Sequence, residues 1–165
     1  MQRNLMTESA DFSSGNAWRV IFLTGFLAGT LDAIAAIVIS QATPAVVFKF
    51  IASGAFGAGE AFSGGNIMIF WGVIFHYLIA FSWTIFFFFM YPAVPLLRKN
   101  KYISGLVYGI FVWIIMNRVV IPLSEIAQRP FNLKGALTGM AILMVAIGLP
   151  ISLLTHRYYS RKGFV

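Results

Sequence analysis

Four residues able to do chemistry interrupt the apolar stretches of this chain: Asp32, His76, Asn117 and Arg118. A carboxyl group and an imidazole sharing one buried site can exchange a proton near neutral pH. An amide beside them adds a donor and an acceptor. A guanidinium can hold a helix end at a water boundary by extending its apolar stem. Asp32, His76 and Asn117 therefore form the candidate polar cluster, with Arg118 as an interface anchor. The alternative use of the same groups is structural, fixing helix register through hydrogen bonds worth about 0.6 kcal/mol each. Either use needs elements that bring residues far apart in sequence to one depth.

Other chemistries lack their residues. Cysteine is absent, which removes disulfides, thiolate catalysis and cysteine metal sites. No HExxH pair, phosphate loop or nucleophile elbow is present, and Gly54–Gly65 lacks the order of a phosphate-binding loop. His156 falls at the opposite boundary from His76, so no two-histidine haem site forms. Neither a cofactor nor a metal is expected. With no nucleophile beside a base, the chain does not read as an enzyme.

The elements follow from composition. Hydrophobic residues make up 59% of the 165, charged residues 10%, and mean hydropathy is +0.84. A soluble domain carries about 25% charged residues to keep its surface wet. A single domain this small cannot bury so much apolar surface in its own core, whereas lipid can accept it. A helix needs roughly 20 apolar residues to cross the hydrocarbon. Four stretches reach that length: Val20–Ser40, Ile67–Tyr91, Tyr102–Ile121, which stops at Pro122, and Ala136–Thr155, with a kink expected at Gly148 and Pro150. The start, Met1–Gly15, is polar with Glu8 and Asp11, and does not read as a cleaved signal peptide.

Pro44–Phe62 is different. Thr43 and Pro44 make a capped helix start, and Val46, Val47, Phe50 and Ile51 recur at helical spacing. Lys49, Glu60 and the glycines at 54, 57, 59, 64 and 65 argue against a full crossing. A short interfacial or re-entrant helix is expected there. The fold class is thus all-α: a polytopic membrane protein of four transmembrane helices in a bundle, plus that short helix after the first span. Its divisions are a flexible cytoplasmic arm (1–19), one four-span domain (20–157) and a basic cytoplasmic tail (158–165).

Basic residues orient the bundle. Arg3, Arg19, Arg98, Lys99, Lys101, Arg157, Arg161 and Lys162 lie on one side, against Lys49, Arg118, Arg129 and Lys134 on the other. The excess puts both termini in the cytoplasm. Trp18, Tyr91, Tyr102, Tyr158 and Tyr159 fall at that same boundary, where amphipathic rings settle. The +7 net charge forms no stripe suited to nucleic acid.

Small residues are the expected glue between spans, because they let backbones approach. Gly25 and Gly29, Gly105 and Gly109, and Gly135 and Gly139 form three such pairs, and the second span repeats Gly72, His76, Ala80 and Thr84. Intramolecular packing is their plainer use; a homo-oligomer or a larger membrane complex is the other. Asp32 follows Gly25 by two turns, which turns it toward the bundle, and His76 lies at similar depth in the outer half. Arg118 falls on the face opposite Gly109.

The run Ala28-Gly-Thr-Leu-Asp32-Ala, then Ile51-Ala-Ser-Gly54 and His76 with Ile79-Ala-Phe81, resembles a widespread group of uncharacterised bacterial membrane proteins. Gly105–Gly109, Met116-Asn117, Val120, Pro122-Leu-Ser124 and Gly148-Leu-Pro150 continue the likeness, from about Gly25 to Leu154. The layout is more distantly similar to the YagU-like inner-membrane proteins associated with acid tolerance. The resemblance implies a four-helix inner-membrane protein with no agreed active site. It also implies a histidine in the last span, where this chain has Leu143. Two functions follow as expectations: transport or a proton and acid-stress response through Asp32 and His76, or an accessory subunit packed against a larger complex.

Overall fold

In a computed structural model, the backbone is described for residues 3–127 and 130–163, and side chains from residue 17 onward. Arg129 and the last two residues lie outside the described set. Among the described residues every regular element is helical: α1 (Arg3–Ser40), α2 (Pro44–Ser63), α3 (Gly65–Ala93), the short α4 (Pro95–Lys99), α5 (Lys101–Ile115), α6 (Leu133–Ile142) and α7 (Leu149–Ser160). A π-helical turn, Met116–Val120, extends α5, and another, Leu143–Gly148, joins α6 to α7. Five helices are long and apolar enough to cross a membrane: Ala17–Ser40, Pro44–Ser63, Gly65–Ala93, Lys101–Val120 and Leu133–Ser160. Where a flexible arm is expected, the backbone is helical from Arg3. Tyr158–Ser160 belongs to the last helix and not to a tail.

Helices α1 and α3 run antiparallel. Phe22 and Gly25 meet Phe81, while one turn later Phe26 and Gly29 meet Tyr77. The end of α1 and the start of α3 therefore lie at one end of the bundle, and α2 leaves from that end and returns to it. Its sequence explains how. Thr43 caps the first turn by accepting from the Val46 amide, and Pro44 occupies the position that needs no amide. At Gly57 the backbone adopts φ 74° and ψ 158°, a region essentially reserved for glycine. There the chain folds back. Lys49 Nζ donates to the Phe62 carbonyl at 3.2 Å, thirteen residues on. A straight helix would separate those residues by about 20 Å, beyond the reach of one lysine.

The first limb of α2 crosses α3. Phe48 presses its backbone carbonyl on Gly72 and its ring on His76, and Phe56 meets Trp71 and Phe75. From Phe48 to Phe56 the limb advances about 12 Å, yet the α3 residues it touches barely change. The loop after the first π turn closes over it, with the Glu125 amide donating to the Gly54 carbonyl at 3.0 Å.

The last helix lies antiparallel to α5 at backbone contact. A methyl on Gly109 would stand 2.7 Å from the Leu143 carbonyl oxygen, and one on Gly105 2.9 Å from that of Gly148. Gly148 itself faces the Gly105 carbonyl. The π turn sits at this contact, two residues before Pro150, whose ring nitrogen cannot donate to the carbonyl one turn earlier. Gly139 rests near the Trp113 indole nitrogen, but Gly135 meets only its own Asn132 and packs no other helix.

Helices α3 and α5 are held by rings instead. Phe87 packs on Tyr108 with centroids 4.6 Å apart, and the Tyr108 hydroxyl donates to the Trp83 carbonyl at 2.6 Å. Outward positions such as Phe22, Leu78, Phe89, Ile103 and Val145 are each about 60% exposed, an apolar exterior suited to lipid.

Gly109→Ala is expected to destabilise the bundle by about 1–3 kcal/mol through overpacking against Met144, and Gly57→Ala by a similar amount through backbone strain. Gly135→Ala, with nothing to strike, leaves stability within about 0.5 kcal/mol. Thermal unfolding in detergent followed by size exclusion checks all three.

Candidate functional site

His76 is buried on the small-residue face of α3, with Gly72, Ala80 and Thr84 buried above and below it. Its Nε2 lies 2.8 Å from the Gly29 carbonyl oxygen on α1. A carbonyl only accepts, so Nε2 carries the proton. Gly29 makes this approach achievable. A side chain there would stand 3.1 Å from both the Ala80 methyl and the Tyr77 ring. Two rings complete the surroundings of the imidazole, Phe48 and Tyr77, each edge-on at 6.0 and 5.4 Å.

Tyr77 is locked by a second polar contact. Thr30 donates its hydroxyl to the Phe26 carbonyl at 2.7 Å, so the phenol of Tyr77, 2.9 Å away, must be the donor to Thr30 Oγ1. Asp32 lies three residues beyond Gly29, less than one turn along α1. The carboxylate is only partly buried, however, and among the described residues it makes no direct hydrogen bond or ion pair with the imidazole. Asp32 and His76 are thus brought to one region without touching.

Asn117 is elsewhere. It sits in the first π turn and donates to the Trp113 carbonyl of its own helix at 2.9 Å. No hydrogen bond links it to His76 or Asp32 among the described residues, because the amide finds a partner one turn back. Arg118 is exposed at the end of α5. The described residues hold no group of three or more metal-ligating side chains.

At the opposite end of the bundle stands a pair that spacing did not reveal. Tyr91, fully buried, places its hydroxyl 2.7 Å from Nδ1 of His156. Tyr159 stacks on Tyr91 at 5.2 Å and donates to the Phe88 carbonyl. Two of the five rings expected at the lipid boundary are therefore interior packing. Trp18 and Tyr102 do stand exposed there. The signal available in the sequence was the polar residue His156 a little over two helical turns after Gly148, too weak to single out.

No family model, curated protein or solved structure matches the chain.

Tyr91→Phe deletes one hydrogen bond and keeps the ring, so a loss of about 1 kcal/mol is expected. Thermal stability in detergent, measured beside His156→Phe, tests whether the two changes share one interaction, since a shared bond makes the double variant less than additive.

Proposed function

We propose that this chain is a four-span membrane protein whose α2 folds back without crossing, and that His76 with Asp32 forms a proton-responsive site in the half of the bundle covered by α2. The observation that carries the reading is the Nε2 contact with the Gly29 carbonyl. It commits one ring nitrogen to α1, at a carbonyl less than one helical turn from Asp32. A proton gained at Nδ1 changes the charge facing Asp32, and so changes the force between the two helices that the contact joins. Transport coupled to that change, or a response to acid, are the activities this geometry supports. Inner-membrane placement with cytoplasmic termini, and kinship with the group resembled above, belong to the same proposal. Supporting the orientation, Arg98, Lys99, Lys101, Arg157, Arg161 and Lys162 lie at or just beyond helix ends, and Arg19 stands near the start of the apolar part of α1.

The accessory-subunit reading draws on one observation. Helix α6 buries none of its residues, and its Gly135 is open. A partner helix packed there would make Gly135→Leu disrupt co-purification while sparing the monomer's fold.

Since the chain has no cysteine, single cysteines report topology cleanly. Gln41→Cys and Ser63→Cys are expected to react with an impermeant maleimide from one side, and Asn100→Cys and Ser160→Cys from the other. Opposite labelling of positions 41 and 63 means that α2 crosses.

For the site, protein reconstituted in vesicles under an imposed pH gradient is expected to dissipate it. Asp32→Asn and His76→Gln should each slow this by about tenfold or more. Equal rates for well-folded variants would remove the proton role and leave the two residues as packing.

A further inference from the structure

We infer that the groove between α1 and α7, at the basic end of the bundle, binds the phosphate of an anionic phospholipid. The groove encloses about 520 Å³ and is lined by Arg19, Thr24, Arg157 and Arg161, with Leu23 and Leu154 beside them. Arg157, in the last turn of α7, and Arg161, the residue that caps it one turn on, both line the groove. Arg19 faces them from α1. Like charges so placed repel one another unless an anion lies between them, and guanidinium forks match phosphate oxygens in pairs. The dipole of α7 accounts for basic residues in its own last turn. It does not account for Arg19, which belongs to the middle of another helix.

A second observation points to a ligand. Thr24 is 1% exposed and lines the groove, and its hydroxyl has no hydrogen-bond partner among the described residues. Buried hydroxyls are normally satisfied, which leaves this one able to donate to an anion seated against it. No carboxylate is among the described lining residues. Lys162 also lines the groove and lies over the Tyr158 ring at 4.8 Å.

Inorganic phosphate shares this chemistry. The apolar track decides for lipid: Leu23, one turn from Arg19 and 61% exposed, leads from the arginines along the bundle's outer surface. A phosphodiester held by the arginines would lay its acyl chain there, as basic pockets between membrane helices hold anionic headgroups. The inference rests on the reading that the bundle crosses a bilayer, and is independent of the His76 site.

The test is native mass spectrometry of the full chain released from micelles holding equal phosphatidylglycerol and phosphatidylcholine. Retained phosphatidylglycerol is expected to exceed phosphatidylcholine by about tenfold. Arg19→Gln alone should reduce the preference severalfold, Arg157→Gln with Arg161→Gln should abolish it, and Thr24→Val should weaken it about threefold. Lys99→Gln with Lys101→Gln, outside the groove, should leave it unchanged. Equal retention of both lipids, or a preference indifferent to all three arginines, overturns the inference. So does complete displacement by millimolar inorganic phosphate, which would assign the groove to free phosphate. Should the double variant fail to fold, the Arg19→Gln result decides. Extraction of the chain from membranes by alkaline carbonate would instead refute the spanning reading, which separates the two failures.

Discussion

Helices whose outer faces are Phe, Leu, Ile and Val gain little from one another in an oily medium, because lipid offers the same contacts. The bundle therefore depends on the places where two backbones come close enough for dispersion and polar contacts to act. The contact of Gly72 with the Phe48 backbone is one of these, and the crossing of α5 with the last helix is another. At that crossing Gly105, Gly109 and Gly148 let the two main chains come into direct contact. The π turn at Leu143–Gly148 sits at the same crossing, and Pro150 lies two residues beyond it. Close approach and local unwinding thus coincide, which ties the shape of the last helix to its contact with α5.

The α1–α3 pair uses a different device. Gly25 and Gly29 do not meet glycine; they accept the Phe81 and Tyr77 rings and the Ala80 methyl. The space so made brings the imidazole of His76 onto a main-chain carbonyl. Packing and the candidate chemistry consequently share residues. A change at Gly29 alters both, whereas Asp32, less than a turn away and unbonded, can be changed with little effect on packing.

The fold-back of α2 illustrates how one backbone position redirects a segment. By length and hydropathy Pro44–Ser63 qualifies as a crossing helix. The Gly57 conformation and the Lys49 contact with Phe62 turn it back on itself, and the Glu125–Gly54 bond closes the next loop over it. In this arrangement Phe48 delivers a ring directly to the imidazole of His76.

Much of the architecture was legible in the order of residues. Long apolar runs can only be helices when no water is available to satisfy the backbone, so the helical class and approximate span limits follow from composition and length. The inward face of α3 followed from the spacing of Gly72, His76, Ala80 and Thr84, since residues four apart share a helix side. Which helix each small face would meet was not legible. Gly25 against Phe81, Gly148 against Gly105 and the open Gly135 depend on how helices are arranged around one another, and a local pattern carries no information about its partner. The same reason separates the polar residues. Asp32 and His76 reach one region because α1 and α3 are antiparallel neighbours, Asn117 bonds its own helix instead, and Tyr91 finds His156 across the bundle. Depth can be counted along a chain, but the direction a side chain faces around the bundle is decided only when all the helices pack.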